Sequence, residues 1–156
     1  MKRIYLALLL ASSAFTGGCG LLGGDEEEET RSEILASGEW RLISFVSQTG
    51  TQPARSLIEP CDEDDFFRFL EDKSYAEERN QLICSNATNL PPVALGTWSQ
   101  TGDVETITIT NSTSGGMVLV GTWQVTELTN SSLKLSATAT VGSGTTRVST
   151  VEMKHQ

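Results

Sequence analysis

Apolar and polar positions alternate with period two along most of the chain from Ile34 onward. Residues 132–141 are the clearest case. Leu133, Leu135, Ala137, Ala139 and Val141 share one parity, and Ser132, Lys134, Ser136, Thr138 and Thr140 share the other. Successive side chains of a strand point to opposite faces, so this segment presents one apolar and one wet face. The alternation is looser in residues 117–128 and 66–70, where Phe67 and Phe69 oppose Phe66, Arg68 and Leu70. Eight strands are predicted, at residues 39–48, 66–70, 74–79, 96–101, 104–110, 117–128, 132–141 and 145–154. Turn-forming runs separate several of them: Glu71-Asp72-Lys73, Thr101-Gly102-Asp103, Ser114-Gly115-Gly116, Thr129-Asn130-Ser131 and Gly142-Ser143-Gly144. Short strands with such turns indicate an antiparallel sandwich or barrel. Of the 61 residues from Gly96 to Gln156, 22 are Ser or Thr, which suits strands with a wetted outer face. A helical turn is expected only at residues 54–58, between Pro53 and Pro60. Glu77, Glu78 and Arg79 read as an exposed charged edge that guards against strand pairing.

The first residues follow a different rule. Lys2 and Arg3 precede an apolar run from Ile4, and Thr16, Gly17 and Gly18 lead to Cys19. A basic start, an apolar core and small residues are the order of a secretory signal. The apolar stretch of about 12 residues is too short to span a bilayer, which needs ~20. A cysteine directly after two glycines resembles a bacterial lipobox, with Thr16 where an aliphatic residue is usual. That resemblance makes Cys19 the lipidation site, with cleavage before it; secretion with a free Cys19 is the other reading. Gly20 to Gly24 and the acidic run Asp25–Glu29 then form a soft, self-repelling tether. The tether serves as a spacer or, by resemblance to surface-export signals, as a sorting tag.

Charge and cysteine content sharpen the picture. The chain of 156 residues carries 11 Lys and Arg against 20 Asp and Glu, a net charge of -9. Removing the signal takes away Lys2 and Arg3 and no acid, leaving 9 bases against 20 acids and a net charge of -11. Nucleic acid is not expected as a partner, because phosphate binding needs clustered cations. Cys61 and Cys84 remain once Cys19 is set aside. An even number in an exported chain suggests a disulfide, worth roughly 3 kcal/mol in the chain-entropy model; two buried free thiols are the alternative.

Candidate chemistry is sparse. His155 is the single histidine and lies beyond the last predicted strand, so it is expected to be mobile and unsuited to a catalytic triad. No cofactor, metal site or catalytic residue is expected. Asp62, Glu63, Asp64 and Asp65 form a cluster that hard cations could use, but without EF-hand spacing it reads as a solvated loop.

All three tryptophans occur as Gly-x-Trp: Gly38-Glu39-Trp40, Gly96-Thr97-Trp98 and Gly121-Thr122-Trp123. Glycine permits a bend or a close approach, and a Trp two residues on points to the same face. The pattern fits barrel strands that enter at a bend and close one end with an indole. Gly38-Glu39-Trp40 is similar to the opening motif of lipocalins. The run from Cys61 to Phe69, then Cys84, Gly96-Thr97-Trp98 and the late Leu133–Leu135 resemble, in this order, the lipocalin-like domain family of bacterial lipoproteins. The resemblance covers about Ile34 to Met153. It implies an all-β, eight-stranded antiparallel up-and-down barrel, and an Arg on the last strand that packs on the opening Trp; Arg147 would cover Trp40 by a cation–π contact.

The expected organisation is a signal peptide over 1–18, a Gly-rich acidic tether over 19–33 and a lipocalin-like barrel over 34–156. Eight strands enclose either packed side chains or one small ligand. Trp40, Trp98, Trp123, Phe67, Phe69, Leu119, Leu135 and Arg147 are the candidates for ligand contact or barrel closure, with core packing the plainer role for the tryptophans. The expected function is an outer-membrane, lipid-anchored protein, on the periplasmic side or the cell surface, that binds a small lipophilic ligand. The alternative is a filled barrel whose loops, residues 49–65 and 80–95, contact an envelope protein.

Overall fold

The structure is a computed structural model and describes residues 29–85, 88–112, 116–142 and 144–156. The predicted signal, Cys19 and most of the tether lie outside these residues.

Among the described residues the chain forms nine strands, one α-helix and one 3-10 turn. A short helix α1 (Arg31–Ala36) precedes β1 (Glu39–Thr49), β2 (Arg55–Ser56), a 3-10 turn (Pro60–Asp62), β3 (Phe66–Phe69), β4 (Ser74–Glu78), β5 (Val93–Thr101), β6 (Thr106–Asn111), β7 (Gly121–Leu128), β8 (Ser132–Val141) and β9 (Thr145–His155). The order along the sheet is β1-β3-β4-β5-β6-β7-β8-β9, all antiparallel, and β9 returns to pair with β1. Eight strands thus close an up-and-down barrel, which leaves no long unpaired edge. The two-residue β2 pairs with Val46 and Ser47 of β1, beyond the point where β3 ends its pairing at Arg41.

Four expectations about elements are corrected. The predicted strand 117–128 begins only at Gly121, whose φ of 128° an L side chain rarely adopts, so the chain turns there. The predicted strand 104–110 begins at Thr106, because Val104 is left-handed, with φ 53°. Residues 54–58 hold the extended β2 in place of a helical turn. Glu77, Glu78 and Arg79 do not guard an edge: β4 is paired on both sides, and Glu77 points inward. The helix α1 is additional, and it places the expected start of the fold, Ile34, inside an element that begins at Arg31.

The two ends of the barrel differ. At one end α1 closes the interior. Thr30 caps the helix and exchanges hydrogen bonds with Glu33 in a capping box. Leu35 is fully buried, and the Trp40 indole N–H donates to its carbonyl at 2.9 Å. Phe67, Phe69, Tyr75, Trp98, Ile107, Leu133, Leu135, Val151 and Met153 fill the space above. At the other end β3 and β4 are only four and five residues long, against eleven for β1 and β9. The wall there is completed by β2, the 3-10 turn and the loop after β4. The Cys61–Cys84 disulfide, with Cα atoms 5.2 Å apart, staples these loops together.

Candidate functional site

The interior tapers from large to small side chains toward the open end. On β8 the inward residues run Leu133, Leu135, Ala137, Ala139; on β9 they run Met153, Val151, Ser149, Arg147. On β1, Trp40 and Leu42 are buried, and a bulge between Leu42 and Ser44 resets the parity so that Phe45 and Ser47 follow inward. Bulky side chains make a packed floor, and small ones above it leave a space that no described residue fills. The result is a cavity of about 500 Å³ whose walls include Phe45, Val120, Trp123, Ala137, Ala139 and Arg147. Phe45 and Trp123 meet edge to face, with ring centroids 6.0 Å apart, and form its aromatic side.

A second, more polar chamber of about 300 Å³ lies beside it, lined by Glu59, Asp62, Asp65, Glu77, Arg79 and the disulfide. Leu57 and Val118 border both chambers. Val118 belongs to the segment Gly116–Val120, which is pinned across the mouth. The buried Glu77 carboxylate accepts from the backbone N–H groups of Val118 (2.6 Å) and Leu119 (2.9 Å) and from the Tyr75 hydroxyl (2.9 Å). Burial nonetheless pushes its carboxyl above the ordinary range, against the opposing pull of those hydrogen bonds. Arg79 holds the same segment through the Gly116 carbonyl and donates to Pro91 at 2.6 Å. Trp123 donates its indole N–H to the Leu119 carbonyl at 2.9 Å.

The acidic cluster is not a solvated loop. Asp64 accepts from the N–H groups of Gln81 (2.8 Å) and Leu82 (3.1 Å), and Asp62 accepts from Glu59 N–H (2.8 Å). Asp65 is buried, and loss of hydration pushes its carboxyl up to about 6 despite a hydrogen bond from the Asn80 backbone. These acids therefore position the loops around the polar chamber. Among the described residues Glu59, Cys61 and Cys84 also converge, but both sulfurs are consumed by the disulfide.

Each sequence-predicted site residue has a definite place. Trp40, Trp98, Phe67, Phe69, Leu119 and Leu135 are buried in the packed core, while Trp123 and Arg147 line the larger cavity. All three indoles donate to a backbone carbonyl: Trp40 to Leu35, Trp98 to Leu70 and Trp123 to Leu119, each at 2.9 Å. The glycines before the first two allow close approach. A Cβ on Gly38 would stand 2.7 Å from the His155 ring, and one on Gly96 would strike the Thr110 carbonyl and the Met117 side chain.

Arg147 does not cover Trp40. It pairs with Thr49 at the far end of β1, and Trp40 lies opposite His155. The imidazole meets the Trp40 ring edge to face at 5.2 Å, and Ser37 Oγ lies 3.2 Å from its Nε2. His155, expected to be mobile beyond the last strand, is thus an ordered residue of β9. The cation over a tryptophan is instead Lys73, 3.8 Å from the Trp98 ring. Glu77 carried no sequence signal as a buried residue, since the charged Glu78 and Arg79 follow it directly.

A closed eight-stranded barrel with these motifs can be set beside known proteins. The family model for the lipocalin-like domain matches residues 37–135. The chain belongs to the lipocalin-like domain family. Among solved structures, a DUF4847 family protein from Bacteroides vulgatus ATCC 8482 is similar to this lipocalin-like chain, at 14% identity and a TM-score of 0.47, covering 80% of this chain and 96% of that one. No curated protein matches the chain.

Proposed function

We propose that this lipocalin-like protein is a binding protein rather than an enzyme, and that it holds a small lipophilic molecule in the 500 Å³ cavity. The single observation that carries the reading is the taper of the inner face. The barrel is packed at one end and leaves an aromatic- and methyl-lined space at the other, within the size range of small-molecule sites. A filled barrel acting only through its loops is disfavoured by that same space. We further propose that Cys19 is lipidated and that the protein is anchored in the outer membrane of a bacterial envelope. The lipobox-like run before Cys19 supports this, together with a disulfide suited to an oxidising compartment. The test is native mass spectrometry of protein taken from its own host. A co-purified small molecule that is lost when Ala137→Trp fills the cavity supports the reading. A bare protein that also takes up no lipophilic probe in solution defeats it.

A further inference from the structure

The larger cavity has a charge asymmetry that its apolar walls do not explain. Arg147 is the one charged side chain among the described residues that line it. Its cross-strand neighbours are Thr49 on β1 and Ala139 on β8, so no carboxylate stands opposite it. Among the described residues its guanidinium has no ion-pair or hydrogen-bond partner, in a chain with 20 acids for 11 bases. Some surface cations do find anions: Arg68 lies between Glu39 and Glu78, and Lys134 is 2.8 Å from Glu127; others, such as Arg55 and Lys154, form no ion pair among the described residues, but they do not line this cavity. The adjoining chamber has the opposite character, with Glu59, Asp62, Asp65 and Glu77 against Arg79. An anion entering the mouth is therefore turned from one chamber and drawn to the other.

From this arrangement, and resting on the reading of the cavity as a ligand site, we infer that the ligand is an anionic amphiphile, a lipophilic monocarboxylate. Its carboxylate is held by the Arg147 guanidinium at the rim, and its aliphatic body runs inward along Phe45, Trp123 and Ala137. A guanidinium presents a planar fork that matches a carboxylate, and its apolar stem can lie along the cavity wall. The exposed rim position leaves the charged head group near water while the body is desolvated, so neither partner is buried without compensation.

Calorimetric titration of the purified chain with decanoate, decanol and decyltrimethylammonium tests the inference. The expected order is decanoate first, tighter than decanol by about ten-fold or more, as a charge-assisted hydrogen bond to a carboxylate provides. Arg147→Gln should abolish the preference for decanoate over decanol, with the melting temperature unchanged. If decanoate and decanol bind alike in the unaltered protein, the anionic class is wrong and the lipophilic site stands. If decanoate is preferred but Arg147→Gln leaves the preference intact, the assignment to Arg147 is overturned. If none of the three probes binds, the inference fails together with the ligand-site reading.

Discussion

Glu77 has both carboxylate oxygens occupied inside a barrel whose other inward residues are mainly apolar. Its three donors, two backbone N–H groups and the Tyr75 hydroxyl, would be left unsatisfied by Glu77→Ala. At about 1–3 kcal/mol for each buried group without a partner, the substitution should cost at least ~3 kcal/mol. Urea unfolding measures this; a loss below 1 kcal/mol would show that the segment Gly116–Val120 does not depend on Glu77. Asp65 makes a separate, pH-dependent contribution. Its folded-state carboxyl titrates at about 6 against an ordinary value of 3.8, so the folded protein holds this proton more tightly than the unfolded chain. The stabilisation is fully present below 3.8 and is lost as pH rises through about 6. Asp65→Asn should flatten the fall in stability across that window and raise stability at neutral pH. Glu77 shifts in the same direction, so part of the slope should persist. An unaltered slope in Asp65→Asn would contradict the assignment.

Elements show where the alternation of side chains is a sufficient guide and where it is not. The ends of β8 match the prediction at both residues, because Leu and Ala alternate with Ser, Lys and Thr without interruption. β7 starts late because Val118, Leu119 and Val120 form an apolar run with no alternation; Leu119 is buried and its two neighbours are exposed. Helix α1 lies next to an acidic run and is only six residues long, so periodicity is silent. Its signal was the capping box Thr30-x-x-Glu33 ahead of Ile34 and Leu35. The taper that opens the cavity is likewise written as Leu133, Leu135, Ala137, Ala139, but its meaning depends on β9 and β1 shrinking in step. The partition by Gly116–Val120 needs the long-range contact to Glu77 and could not be read locally. As a cap on the barrel, α1 should matter more than its length suggests. Leu35→Ala should destabilise the protein by about 2–5 kcal/mol and shift Trp40 emission to longer wavelength, since the helix both buries Leu35 and roofs the indole. A change under 1 kcal/mol would mean that the helix is an accessory.

At the scale of the molecule, α1 joins the closed end, so residues 29–30, which lead into it, lie at the end opposite the cavity mouth. Intact-mass analysis and membrane fractionation of Cys19→Ala should show an unlipidated protein that no longer sediments with the membrane; unchanged processing and fractionation would remove the anchor from the account. The pairing that closes the barrel has a consequence in time. β1 cannot complete its hydrogen bonding until β9 arrives, and Trp40 waits for His155, which ends β9, eight strands further along the chain. Partners so far apart in sequence place this protein among slow folders, with relaxation in the range of about milliseconds to seconds. Whenever the chain is delivered from its N-terminus, as in synthesis or export, one edge of β1 remains open until β9 has emerged, and the interval before closure is when the chain is most exposed to association with its own kind.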